Sequence, residues 1–384
     1  MSVLTKLEIT RLAKERGISA EALAKDYVLE WLLKGFYSQK YPMHKHLVFK
    51  GGTSIRKVHF PQVWRLSEDL DFSFIGIENP QLEQVGEMLS GRKNWGLKQF
   101  LEDIVLKDLN EESGIYLKLD DYHANPGMIS SDIQYKVDVF IGRVKFDLKF
   151  SEKLLFEPET RELQGDYPDI PPIKVLSYPL KEIMVEKVCA MMDRGKARDF
   201  YDVWRLLREG NFDLLELRPF IIKKCSSNNF TYNPNFMTSS KLREAQKYWK
   251  SSLEHLVKDN ELPDFDEVTD EIQQYIEGME LAYKIEVGDE THTHILTLAR
   301  IAAKNERAIA PVIDVAIALT KQSNPTKVVF GLNLLQSLVS ASSLANGKVQ
   351  NIEKRLEKLK NDPNEQIAYA AQNLLNSIWY KEVK

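Results

Sequence analysis

The chain of 384 residues reads as an α+β protein. The expected architecture is a mixed β-sheet core with flanking helices, a helical middle region and a C-terminal α-solenoid. Three observations predict it. Asp69–Phe74 and Lys145–Phe150 alternate polar and apolar residues, as half-buried strands do. Helical apolar spacing takes over after the Pro-rich link Tyr167–Pro172. Near the C-terminus, polar or Pro-containing caps recur ahead of Leu- and Ala-rich helices.

The composition fits this class. Hydrophobic residues make up 43% and charged residues 28%, which excludes a mostly disordered or fibrous chain. The length exceeds one core of ordinary size, so two or three domains are expected. No apolar run reaches the roughly 18 residues of a membrane span, and the N-terminal segment lacks the apolar stretch of a signal peptide. A soluble, cytoplasmic protein with no membrane partner is the expectation. Cys189 and Cys225, the two cysteines, are too few for a disulfide framework or a Cys-rich zinc site.

Taken in order, residues 1 to about 45 read as helical, with Ser19 as N-cap and Pro42 as terminator. His46–Lys50 reads as a short strand, and residues 80 to 110 as helical. Leu180, Ile183, Met184, Val188 and Met191 form the apolar stripe of one helix; Phe200, Val203, Trp204 and Leu207 form that of the next. Residues 225 to 240 are rich in Ser, Asn and Pro and read as a loop. Caps at Asp289, Asn324 and Asp362 then open amphipathic helices at an approximate period of 35 to 38 residues. The pattern looks like a short HEAT-type array of about three units, with a plain helical bundle as the alternative. The division expected is 1–165 for the α/β core, 166–285 for a helical domain and 286–384 for the repeats.

The segment richest in chemistry is Phe49-Lys-Gly-Gly-Thr-Ser-Ile-Arg-Lys57, followed by Arg65-Leu-Ser-Glu-Asp-Leu-Asp-Phe72. Gly51 and Gly52 let the backbone turn sharply and bring N–H groups close to a ligand, at a helix start that favours negative charge. Thr53 or Ser54 adds a hydroxyl donor. Alone, such a turn is an ordinary strand-to-helix connection. Asp69 and Asp71 alter that: residues i and i+2 of a strand share a face, so both carboxylates converge. Two adjacent carboxylates repel and need a counter-ion, for which a hard divalent cation is suited. A solvated acidic edge is the plain alternative. Lys187 falls on the apolar stripe of its helix, where it must snorkel or meet an anion. Arg198 and Asp202, four apart, are spaced for a surface ion pair.

These motifs resemble the nucleotidyltransferase superfamily, whose signature is Gly-Gly or Gly-Ser, a short helix and Asp-x-Asp on a strand. Arg65 with Ser67-Glu-Asp-Leu-Asp-Phe72 is similar, more specifically, to the AbiEii/AbiGii-type toxins, including the MenT-type. The resemblance covers about residues 20 to 210, in four motifs in the family's order. It implies a third strand carboxylate, matched by Asp147, with Asp138 as competitor. Asp147 has the apolar opposite face of Phe146, Leu148 and Phe150. It further implies a Glu-x-Lys-x-x-Ala helix, matched within Lys181–Ala190 by Lys187 and Ala190, and an Arg-Asp-x-x-Asp element, matched by Arg198, Asp199 and Asp202.

The implied activity is transfer of a nucleoside monophosphate from an NTP to an acceptor hydroxyl, such as a tRNA 3′ end, by a toxin restrained by a cognate antitoxin. Asp69, Asp71 and Asp147 would hold Mg²⁺ or Mn²⁺, with Lys187 among the catalytic set. Gly51, Gly52, Thr53, Ser54, Arg65, Arg198, Asp199 and Asp202 would contact the nucleotide. Competing readings are a nucleotidyltransferase acting on a small molecule, and a nucleotide-binding scaffold working through the HEAT-like array. His292 and His294 alternate as metal ligands do, but read more simply as a helix-entry loop. Residues 289–384 hold 12 basic and 9 acidic residues, so the net charge of −4 leaves room for an RNA-holding surface there.

Overall fold

The computed structural model describes residues 3–61, 64–150, 152–163, 165–258, 261–288 and 293–382, the side chains at 293–296 and 379–382 excepted. It divides into two compact units. The first joins Met1–Asp202 to Ser239–Pro263; the second joins Val203–Thr238 to Asp264–Lys384.

In the first unit the expected N-terminal helical zone is two helices. Lys6–Arg16 opens on a capping box between Thr5 and Glu8 and closes on Gly17 in the left-handed region. Ala20–Phe36 opens on Ser19, whose hydroxyl accepts from Ala22 N–H. It ends at Phe36, before Pro42. Pro42 is therefore no terminator: it opens a 3₁₀ turn, Pro42–Lys45, where its missing N–H is not needed.

Among the described residues seven strands form one mixed sheet. They are β1 Leu47–Lys50, β2 Asp69–Phe74, β3 Tyr116–Asn125, β4 Met128–Val137, β5 Phe140–Lys149, β6 Glu159–Leu163 and β7 Ile173–Ser177. Their order is β3-β4-β5-β2-β1-β7-β6. β2 lies antiparallel to β1 and parallel to β5, and β3, β4 and β5 form an antiparallel meander. Residues 80 to 110 are helical in two stretches, broken after Ser90 by Gly91 at φ 68°.

One face of this sheet is the core. Phe72 and Phe146, on neighbouring strands, meet Phe36 of the helix Ala20–Phe36 at 5.8 and 5.2 Å between ring centroids. Phe49 of β1 stands 5.4 Å from Phe72. Burying these aromatics on one side forces their polar neighbours, Asp69, Asp71 and Asp147, onto the other. The helices Leu180–Asp193 and Ala197–Glu209 follow, as their apolar stripes predict.

The second unit is helical. Its C-terminal part runs Thr293–Lys304, Ala310–Leu319, Pro325–Ala341, Ser343–Gln350, Glu353–Leu359 and Glu365–Glu382. Asn324 caps the third of these, accepting from Thr326 N–H at 3.0 Å. The last is capped by Asn364, whose own N–H donates to Asp362 at 2.9 Å. The expected cap at Asp289 and the residue His292 lie outside the described residues, as does the His294 side chain. No helix among the described residues is long and apolar enough to cross a membrane.

Candidate active site

The two carboxylates of β2 meet a third across the sheet. Asp71 is in parallel register with Asp147, and Asp69 with Lys145. Asp138 takes no part in this row: it sits at the β4–β5 turn with φ 52°, and its carboxylate accepts from Lys6 N–H at 2.6 Å. Asp147 is held at both oxygens. Ser130 donates to Oδ1 at 2.6 Å, and Lys145 Nζ lies 2.8 Å from Oδ2.

The glycine turn closes onto this row. Gly51 has φ 75°, a conformation that L side chains rarely adopt, and a Cβ there would stand 2.2 Å from Asp71 Oδ2. Only glycine lets the chain pass so close to the carboxylate. A Cβ on Gly52 would stand 3.1 Å from both Arg65 Nη2 and Ser67 Oγ. Thr53 donates its hydroxyl to the Asp69 carbonyl, fastening the turn to the start of β2. The Ser54 hydroxyl is buried and has no hydrogen-bond partner among the described residues. Neither hydroxyl is thus turned outward to a ligand.

Beyond the turn, Arg56 and Lys57 run into the protein interior. Lys57 Nζ meets Asp26 at 2.7 Å, Glu30 at 2.8 Å and Asp166 at 3.1 Å, and Arg56 pairs with Asp166 at 2.9 Å. The clamp anchors the segment after Gly-Gly to the helix Ala20–Phe36. Charged residues in the middle of a glycine motif were legible, but their acidic partners come from remote segments.

Asp202 joins two of the expected basic residues. Arg65 grips it with two bonds of 2.8 Å, and Lys187 Nζ lies 2.8 Å from Oδ2. Of the two outcomes open to a lysine on an apolar stripe, snorkelling or meeting an anion, Lys187 takes the second, and the anion belongs to the chain. Burial opposes ionisation of Asp202, yet Arg65 and Lys187 hold its pKa down to about 2. The pairing of Arg198 with Asp202 allowed by their spacing does not form: Arg198 bonds Glu68 instead, next to Asp69. Asp199 accepts from Arg194 through both oxygens at 2.9 Å and from Lys196 N–H at 3.2 Å, which ties it to its own helix start.

Lys50 is the residue that sequence reasoning passed over. It is the antiparallel register partner of Asp71 and is 2% exposed. Its ammonium lies 2.6 Å from Glu152 and 3.0 Å from Glu186. Ser73 donates to the same Glu152 at 2.6 Å and stands 2.7 Å from the Tyr178 hydroxyl. A lone lysine ending the apolar strand Leu-Val-Phe-Lys, just before Gly-Gly, was the available signal.

Burial dominates the electrostatics of the two β2 carboxylates. Burial pushes Asp71 up to about 6, Asp69 and Asp147 add to the rise, and Lys50 and Lys187 oppose it. Burial raises Asp69 as well, with Glu68 adding and Arg198 opposing. The donor atoms are carboxylate oxygens only, the set that a hard divalent cation takes. Among the described residues no three His, Cys, Asp or Glu side chains are gathered as a metal cage as they stand. The row nevertheless fits such a cation: it has oxygen donors, raised carboxyl pKa values at Asp69 and Asp71, and a backbone without Cβ at Gly51.

Known proteins resemble this chain. The model of the family described as nucleotidyl transferase AbiEii toxin, type IV toxin–antitoxin system, matches residues 33–271. The protein aq_aa25 of Aquifex aeolicus strain VF5 is 30% identical over 102 residues, which is 26% of this chain and 45% of that protein. The chain thus spans less than half of that relative's length. Two solved structures are similar. MenT4, a nucleotidyltransferase toxin of Mycobacterium tuberculosis H37Rv, is 16% identical with a TM-score of 0.49, over 88% of this chain and 100% of that one. JHP933 of Helicobacter pylori is 19% identical with a TM-score of 0.42, over 68% of this chain and 93% of that one.

Proposed function

Because the chain belongs to the AbiEii nucleotidyltransferase toxin family of type IV toxin–antitoxin systems, we propose that it transfers a nucleoside monophosphate from an NTP to the hydroxyl at a tRNA 3′ end. The acceptor oxygen forms a bond to the α-phosphorus, the α–β bridging bond breaks, and pyrophosphate leaves. A cognate antitoxin would restrain the activity.

The observation that carries this reading is the register of Asp71 with Asp147, with Gly51 packed against Asp71. Asp69, Asp71 and Asp147 are the residues that would hold Mg²⁺ or Mn²⁺, which when bound neutralises triphosphate charge and acidifies the acceptor hydroxyl. Asp147 would either complete the coordination of the ion or act as base toward the acceptor hydroxyl. Backbone N–H groups at Gly51–Ser54 would bind the outer phosphates. Lys187 would offset charge on the departing pyrophosphate, with Asp202 and Arg65 fixing its ammonium. Arg198 and Asp199 act at the same helix start, Arg198 by holding Glu68 beside Asp69. The C-terminal helices, read as a short HEAT-type array with 12 basic and 9 acidic residues over 289–384, are a surface for RNA.

The test is incubation of purified protein with each α-labelled NTP and either total cellular RNA or small-molecule acceptors. Label should enter tRNA in the presence of Mg²⁺, and Asp69→Ala should abolish transfer without unfolding the protein. Transfer by the folded variant at the parent rate would refute the mechanism. Label on small molecules but not on RNA would redirect the acceptor.

A further inference from the structure

Asp147 carries its counter-ion within the chain. Lys145 Nζ lies 2.8 Å from Asp147 Oδ2, while Ser130 holds Oδ1. Lys145 also stands in register with Asp69, just as Asp147 stands in register with Asp71. Its ammonium therefore reaches from the row of one β2 carboxylate to the strand carboxylate beside the other. The lysine side chain is 48% exposed, whereas Asp147 is 14% exposed. The cation is thus on the solvent side of the pair and the carboxylate on the protein side.

We propose that Lys145 is a displaceable counter-ion and positioning residue. It holds Asp147 until a divalent cation takes Oδ2, and the freed ammonium then turns to the phosphates of the nucleotide. The inference rests on the metal-dependent transfer proposed above. Two arguments support it. An ammonium and a divalent cation repel at one oxygen, so binding of the second favours departure of the first. The ammonium is half-exposed, and lysine has a flexible four-carbon stem with a compact charge, so water can take over its solvation as it leaves. Arg198 and Lys187 are paired with Glu68 and the buried Asp202, not with Asp147.

The experiment titrates Mn²⁺ into the full chain, followed by the electron paramagnetic resonance signal of the free ion, for the parent, Lys145→Met and Lys145→Arg. Without nucleotide, Lys145→Met should bind Mn²⁺ about tenfold more tightly, since one adjacent positive charge has gone. Lys145→Arg should stay near the parent. At saturating Mn²⁺, Lys145→Met should raise the KM for NTP more than it lowers kcat, because the phosphate contact is lost. A purely structural role would not strengthen ion binding. Parent and Lys145→Met proteins that both bind Mn²⁺ with the same affinity overturn this inference alone. Failure of both to bind Mn²⁺, with both folded by circular dichroism, overturns the metal-dependent reading as well.

Discussion

Arg65 and Asp202, 137 residues apart in the chain, are joined in the interior by two hydrogen bonds of 2.8 Å. The pair is bidentate, and Lys187 completes it on the second oxygen. Removing the carboxylate leaves two cations without their partner, one of them fully enclosed. Asp202→Ala should therefore destabilise the first unit by about 3–5 kcal/mol, read from the urea midpoint at pH 7. A loss below about 1 kcal/mol would contradict the buried pairing.

The same carboxylate predicts acid sensitivity. Its pKa falls from the ordinary 3.8 to about 2 on folding, so its stabilisation is present in full above the unfolded value. It is lost as pH drops through about 2. Asp202→Asn should consequently flatten the stability profile between about pH 4 and 2, measured by thermal unfolding across that window.

Asp71 has the opposite sign. Its pKa rises to about 6 through burial, so the folded state keeps the proton longer than the unfolded one. That preference stabilises the fold below the unfolded value and disappears as pH rises through about 6. In the presence of a chelator, Asp71→Asn should be more stable than the parent at about pH 8, by roughly 1–3 kcal/mol, with the gain shrinking toward about pH 4. It should also be inactive in transfer. A variant less stable than the parent at the higher pH would show that burial does not dominate at Asp71.

Gly51→Ala combines a left-handed φ with a Cβ only 2.2 Å from Asp71 Oδ2. The backbone strain is about 1–2 kcal/mol, which a domain of this size tolerates. Displacement of Asp71 is what activity should feel. The expected variant is folded, somewhat less stable, and at least about 100-fold slower in NMP transfer, as a misplacement of reacting groups by about 1 Å implies. Near-parental kcat would remove the Gly51–Asp71 contact from the proposed mechanism.

Lys50→Met should cost about 3–5 kcal/mol, because Glu152 and Glu186 lose the cation between them. Adding Glu152→Gln should recover part of the loss, and a double-mutant cycle gives the coupling. Strict additivity of the two losses would mean that the network beneath Asp71 is not energetically connected.

Much of this protein was decided by local sequence. The alternation of Asp69–Phe74 and Lys145–Phe150 assigns carboxylates to one sheet face and aromatics to the other, since the side-chain period of a strand is two. Ser19 and Asn324 cap their helices because a short polar side chain meets the first free N–H groups. The order of Gly51-Gly52, Asp69-x-Asp71, Lys187 and Arg198-Asp199-x-x-Asp202 pointed to the family that covers residues 33–271. What only tertiary structure decided was the partner of each charge. Register across two strands put Asp147 rather than Asp138 beside Asp71, and a β-turn took Asp138 to a helix start. The same folding gave Lys187 to Asp202, Arg198 to Glu68, and Lys145 to Asp147. Secondary structure follows from neighbours a few residues apart; ion pairs join residues from anywhere in the chain, and the tertiary fold selects among them.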